Sequence, residues 1–353
     1  MNVFTFDAHL PRVVFGPGVL AQLPAEIERL GARKALVLST PDQARDAQRV
    51  VEMLGERGAG VFPRAVMHVP VEVAREAAAE ARRLGADCAV AIGGGSTTGL
   101  GKAIALDSGL PIVAIPTTYA GSEMTPIYGL TEAGLKKTGR DARVLPRTVL
   151  YDPQLSMTLP VGLSITSGLN AIAHAAEGLY AHDGNPIVAM MAEEGIGALA
   201  RALPALHADG HDEAARRDAL YGAWLCGAVL GHVAMGLHHK LCHTLGGSFN
   251  LPHAEVHTVV LPHALAYNAP MAPQAVARIA RALGVEDAAL GLQRMARQLG
   301  APTALKDIGM PAAGLDRAAD LAASAPYPNP RALERPALRA LLQRAWEGAP
   351  PAA

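Results

Sequence analysis

Between Leu237 and His263 the chain sets six imidazoles, five of which, His239, His243, His253, His257 and His263, recur at intervals that helical turns and one loop could bring together, beside the cation Lys240. Imidazole titrates near neutrality, so such a group offers metal ligands, general acids and bases, or donors to a developing anion. His239 and His243 are four apart and share one face if the segment is helical. Asn170 and His174, in Ser-Gly-Leu-Asn-Ala-Ile-Ala-His-Ala-Ala-Glu, repeat that spacing. Two helices would then each present two coordinating or hydrogen-bonding groups. A lone histidine on an apolar helix is more often a core residue. Two such pairs, with His253 following a Gly-Gly turn, read better as a site. Cys242 adjoins His243, but neighbours on a helix point about 100° apart, which argues against a thiolate–imidazole pair.

A second group lies upstream. In Ala89-Val-Ala-Ile-Gly-Gly-Gly-Ser-Thr-Thr-Gly-Leu-Gly-Lys a strand pattern runs into three glycines and then a helix. Backbone amides and a helix N-terminus could meet a phosphate there without side-chain obstruction; the alternative is a tight structural turn. A P-loop is excluded, because Ser96 stands where its first glycine belongs and Ala103 where Ser or Thr is required. The next strand leads into Ile115-Pro-Thr-Thr-Tyr-Ala-Gly-Ser, gathering Thr117, Thr118, Tyr119 and Ser122. In open α/β sheets ligands bind at that strand edge, although a turn-rich surface loop has the same composition.

These groups need a scaffold. At 353 residues, half of them hydrophobic, the chain has enough apolar material for two cores. Short apolar strands near 34–38, 61–66, 88–92 and 112–116 alternate with helical stretches near 42–58, 71–84 and 97–106, after a β-like run at Arg12 and a helix through Leu30. That alternation predicts an open, mostly parallel, Rossmann-like sheet with helices on both faces. Extended segments around Gly134 follow, and Asp152-Pro153 looks like the boundary. Beyond it, helices are expected near 164–182, 186–204, 212–238, 254–268, 274–284, 287–299, 312–324 and 331–347. The predicted domains are therefore α/β over 1–153 and all-α over 154–353, with the active site in the cleft between them.

A net charge of −1 and few aromatics give no nucleic-acid surface. Three cysteines without CxxC spacing suit a reducing compartment. The N-terminus lacks a basic start before an apolar stretch, and residues 219–237, though apolar, contain four glycines that suit a buried helix. The expectation is a cytoplasmic protein that engages neither membrane nor nucleic acid.

The Gly-Gly-Gly-Ser turn, the Pro-Thr-Thr loop, Asn170-Ala-Ile-Ala-His and His238-His-Lys-Leu-Cys-His-Thr-Leu-Gly-Gly-Ser-Phe-Asn-Leu-Pro-His, with Leu261-Pro-His-Ala-Leu, resemble the iron-containing alcohol dehydrogenase superfamily over nearly the whole chain. More narrowly, they resemble its maleylacetate reductase family. The resemblance implies a dehydroquinate synthase-like architecture, a homodimer, and NAD(P)H-dependent reduction of the maleylacetate carbon–carbon double bond to 3-oxoadipate in aromatic-compound degradation. It places Gly94, Gly95 and Ser96 at the cofactor pyrophosphate, Thr117, Thr118 and Ser122 along its phosphates and nicotinamide, and Lys137 nearby. Ser39, Thr40 and then Asp42 stand where a ribose-binding acid often lies, so NADH with tolerance of NADPH is expected.

In metal-dependent members an Asp and three His hold the ion, falling here on Asn170, His174, His239 and His253, while His243 matches a proton-relay histidine. An amide in place of the acid removes one negative charge, so a metal-free site is expected, with those four residues the ligand set if an ion binds. An enone also needs less Lewis-acid help than a simple carbonyl, and a buried Asp would repel a dicarboxylate. The expected mechanism is hydride addition to the carbon β to the ketone. His243, or His253 in second place, stabilises the enolate and supplies the proton, while Lys240 and His239 offset substrate charge. The rival readings are a metal-dependent alcohol or glycerol dehydrogenase, a dehydroquinate-synthase-like lyase, and a nucleotide-binding pseudoenzyme.

Overall fold

The computed structural model describes residues 3–132, 135–324 and 327–353. Gly134, part of one expected extended segment, lies outside them. Packing divides the chain into two compact units, His9–Leu159 and Pro160–Ala353, the latter joined by the N-terminal residues up to Ala8. The break thus comes later than Asp152-Pro153. The Asp152 carboxylate accepts from the backbone N–H groups of Gly18 and Leu20 and so belongs to the first unit. Near the N-terminus, Phe6 stacks on His232 with ring centroids 5.2 Å apart.

In the first unit the strands are β1 (Arg12–Phe15), β2 (Ala35–Leu38), β3 (Gly58–Phe62), β4 (Cys88–Gly93), β5 (Ile112–Pro116), β6 (Ile127–Glu132), β7 (Leu135–Arg140) and β8 (Thr148–Tyr151). The helices α1 (Leu23–Arg29), α2 (Ala44–Leu54), α3 (Val71–Arg83) and α4 (Gly95–Ser108) alternate with the early strands. Six strands form a parallel sheet ordered β1-β8-β5-β4-β2-β3, and β6 and β7 form a separate antiparallel hairpin. β2, β4 and β5 are buried at every residue, as unbroken apolar runs require when both faces of a sheet are covered. β3 starts three residues before the expected Val61, pairing Gly58 with Ala35.

The second unit is helical among its described residues: α5 (Val161–Leu179), α6 (Pro186–Ala208), α7 (Glu213–His232), α8 (Leu237–Phe249), α9 (His253–Asn268), α10 (Pro273–Leu283), α11 (Ala288–Gln298), α12 (Leu315–Ala323) and α13 (Arg335–Glu347). Side-chain caps fix several starts: Asn185 accepts from the N–H groups of Ile187 and Val188, Asp212 from Ala215, and Asp287 from Leu290. α6 runs past Pro204, where the sequence predicted its end. From Ser164 to Gly178 every residue of α5 is buried, so this helix carries its polar groups into the interior.

The expected helix over 212–238 is broken. α7 stops at His232, α8 starts at Leu237, and their axes differ by 95°. Three distant side chains hold the break: the Asp183 carboxylate accepts from the Ala234 N–H, Asn329 from Leu237, and Glu177 from Gly236. Gly236 suits the place, because a Cβ would lie 3.2 Å from both Glu177 Oε1 and Asn329 Oδ1, a tight contact that those side chains would have to yield to. Gly246 and Gly247, expected as a turn, are helical residues of α8. No single helix among the described residues is long and apolar enough to cross a membrane; α7 and α8 would pass by composition only as this bent pair.

Candidate active site

α5, α8 and α9 gather the imidazoles. One ligand nitrogen each from His174, His239 and His257 lie within 4.8 Å of one another, and all three residues are buried. The ring of His253, first residue of α9, is 4.2 Å from His257, and that of His243 is 6.2 Å from His239. The close trio therefore contains His257 where the resemblance puts His253, which stands beside it. Asn170 is buried one turn before His174, and its Oδ1 has no partner within the protein. His174 Nδ1, His239 Nε2 and both nitrogens of His257 are likewise unpaired there. Buried polar atoms usually find partners, so this concentration of unpaired atoms marks a place that water or a ligand satisfies.

Desolvation pushes His174, His239 and His257 well below the usual imidazole pKa, and the neighbouring rings add to it. His238, whose Nε2 lies 3.1 Å from the His257 carbonyl, is lowered to about 4 by burial. His263 is also lowered to about 4, by burial and by Arg344. Six residues beyond His257, it faces away from the trio. Burial thus works against the charge that His239 would need in order to offset a substrate carboxylate. Lys240 extends over the Tyr327 ring, 5.8 Å from its centroid. Burial raises the Cys242 thiol well above its ordinary pKa, and its Sγ lies 3.5 Å from His238 Nε2, leaving no thiolate nucleophile.

Glu177 was not singled out from the sequence, although residues 170, 174 and 177 trace one face of α5. Fully buried, it accepts from His239 Nδ1 at 2.7 Å, from the N–H groups of Gly236, His238 and His239 at 3.0, 2.9 and 3.2 Å, and from Tyr180 Oη at 3.3 Å. It thereby caps α8, whose own N-cap, Gly236, has no side chain. A carboxylate this close favours an imidazolium, whereas burial lowers the His239 pKa, and the carboxylate is shared with three backbone donors.

His174, His239 and His257 offer three imidazole nitrogens, with Asn170 one helical turn before His174, while Glu177 is committed to its donors. Three imidazoles fit a zinc-like cation with an open position, whereas iron(II) favours a carboxylate among its ligands.

In the α/β unit the turn after β4 is built for close approach. Gly93 has φ +149°, and a Cβ on it would fall 2.5 Å from Thr97 Oγ1 and 2.8 Å from Gln43 Oε1. Gly94 caps α4, which starts at Gly95 and Ser96, and Thr118 packs against Gly94. Gln43, which was also missed, donates to Thr117 Oγ1 at 3.0 Å and so ties the segment after β2 to the end of β5. Thr40 Oγ1 lies 3.4 Å from Gln43 Oε1, and the buried hydroxyls of Ser39 and Thr97 have no partner within the protein. Lys102 is fully buried on α4, its Nζ donating to the carbonyls of Ser122, Thr125 and Ile127 at 2.6, 2.8 and 2.6 Å and to Thr125 Oγ1 at 3.0 Å. Lys137 is exposed on β7 and paired with Glu132 at 2.8 Å.

Comparison with known proteins agrees with both halves. Residues 11–153 match the family "Iron-containing alcohol dehydrogenase", and residues 164–346 match "Fe-containing alcohol dehydrogenase family, C-terminal". A maleylacetate reductase of Burkholderia cepacia is 67% identical over 351 residues, 99% of this chain and 100% of that one. One from Pseudomonas sp. (strain P51) is 59% identical over 348 residues, 99% of each. The crystal structure of maleylacetate reductase from Agrobacterium tumefaciens superimposes with a TM-score of 0.97 at 55% identity, covering 99% of this chain and all of that one. The chain is thus an oxidoreductase that belongs to the iron-containing alcohol dehydrogenase family and, within it, to the maleylacetate reductases.

Proposed function

We propose that the protein reduces the carbon–carbon double bond of maleylacetate to 3-oxoadipate, drawing hydride from NADH, with NADPH tolerated, and that it does so without a metal. A cytoplasmic homodimer is part of this reading. The observation that carries it is Asn170, a buried neutral amide one helical turn before His174 whose Oδ1 meets no protein donor. An amide at position 170 spares a dicarboxylate the repulsion that a carboxylate there would add.

When bound, the nicotinamide supplies a hydride to the carbon β to the ketone. The electron pair of the double bond then rests on an enolate, which donors on the protein stabilise. His243 gives the proton to the adjacent carbon, with His253 the second choice, and solvent restores it. Substrate, NADH and one proton thus become 3-oxoadipate and NAD+. Gly94, Gly95 and Ser96 at the start of α4 receive the pyrophosphate. If an ion is held, His174, His239 and His257 would hold it, and it would polarise the ketone oxygen.

The test follows NADH oxidation by maleylacetate after exhaustive chelation, with the metal content of the same sample determined. Full turnover without stoichiometric metal is expected. Activity lost on chelation and restored by zinc or iron would overturn the metal-free reading. Alcohol oxidation without maleylacetate reduction in metal-replete protein would overturn the substrate assignment.

A further inference from the structure

We propose that Glu177 is a positioning residue: acting through Nδ1 of His239, it holds that ring in the tautomer whose Nε2 is bare, so that His239 offers the cluster an acceptor and never the reaction's proton. The proposal deepens the function above and rests on its assignment of the imidazole cluster to the substrate.

Five N–H or O–H groups converge on the two oxygens of Glu177, and His239 Nδ1 makes the shortest of those contacts, 2.7 Å. A carboxylate oxygen only accepts, so Nδ1 must carry hydrogen. A neutral imidazole has one N–H, and with it spent on Glu177 the other nitrogen keeps a lone pair. That nitrogen, Nε2, is buried without a protein partner, among the nitrogens of His174 and His257.

Residue 170 is an amide, and among the described cluster residues Glu177 is the carboxylate that reaches the rings, one imidazole removed from the unpaired atoms. Its charge is felt there as added basicity of His239 Nε2, the part such carboxylates play behind metal-bound histidines. The bare nitrogen serves as an acceptor whether it meets an O–H group or an ion. Proton donation to the enolate consequently falls to His243 or His253.

Histidine-labelled protein without substrate, observed by 15N NMR, tests this directly. The His239 signals, identified by their loss in His239→Gln, should report an Nδ1–H, Nε2-bare ring in the wild type. In Glu177→Gln the proton should move to Nε2, with kcat at least ten-fold lower and the KM for NADH within about two-fold of wild type. A wild-type ring protonated on Nε2, alone or on both nitrogens, would overturn the proposal. So would a Glu177→Gln protein that loses activity while keeping the Nδ1–H tautomer, since Glu177 would then be structural only. Should that variant fail to fold, the wild-type spectrum still decides. Absence of maleylacetate turnover in wild type would defeat the proposed function while leaving the tautomer measured.

Discussion

At the scale of residues, the division of labour among imidazoles is what experiment can reach. His239 is fastened by Glu177, and His174 and His257 are held neutral by burial. His243 is the group assigned to move a proton. Replacing His243 with Ala should cut kcat by two or more orders of magnitude while NADH affinity, followed by cofactor fluorescence, stays within about two-fold. Unchanged turnover would remove it from the scheme. Much of this cluster was legible, because histidines four apart on apolar stretches declare both a helix and a face. Glu177 continues the face of Asn170 and His174 and was open to the same reading. It escaped notice because its partners, the first N–H groups of α8, lie about sixty residues away. The choice between His253 and His257 was not legible at all. Both lie on α9, and which ring joins the trio depends on how that helix is set against α5 and α8.

Among elements, legibility followed burial. β2, β4 and β5 are covered on both faces and appear in the sequence as uninterrupted apolar runs. The interruption between α7 and α8 has no such signal: Val233-Ala-Met-Gly contains no proline, and what stops the helix is a set of acceptors from Glu177, Asp183 and Asn329. The loop after β5 is likewise shaped from outside, by Lys102. Burial draws this lysine down to about 7, yet four oxygens within 3.0 Å call for its full set of hydrogens. Geometry here outweighs desolvation, and the ammonium works as a clamp on Ser122, Thr125 and Ile127. Lys102→Met would strand those carbonyls and should lower stability by about 3 kcal/mol, with a several-fold rise in the KM for NADH. Thermal denaturation and steady-state kinetics on the same variant check both, and an unchanged KM would limit Lys102 to stability.

For the whole molecule, the buried histidines set an acid limit. His238 and His263 titrate near 4 in the folded chain and near 6.5 when unfolded. The unfolded chain therefore binds more protons between those values, so their contribution to stability is complete above about 6.5 and drains away as pH falls toward 4. Each ring contributes a slope of up to about 1.4 kcal/mol per pH unit. Urea midpoints should fall steeply from pH 6.5 to 4.5, and His263→Phe should flatten that decline by about one ring's share. An unaltered decline would show that His263 is not held neutral by burial.

The cap on α8 bears on how the chain folds. A helix capped by its own preceding side chain can nucleate from local sequence, but α8 begins at a glycine and borrows a carboxylate from α5. Its first turn is therefore completed only once a contact spanning 61 residues has closed. The contact that completes that turn is the same one that orients His239. Capping of α8 and orientation of its reactive ring are thus tied to one carboxylate, so a change at residue 177 loosens the first turn of the helix and the imidazole it bears together.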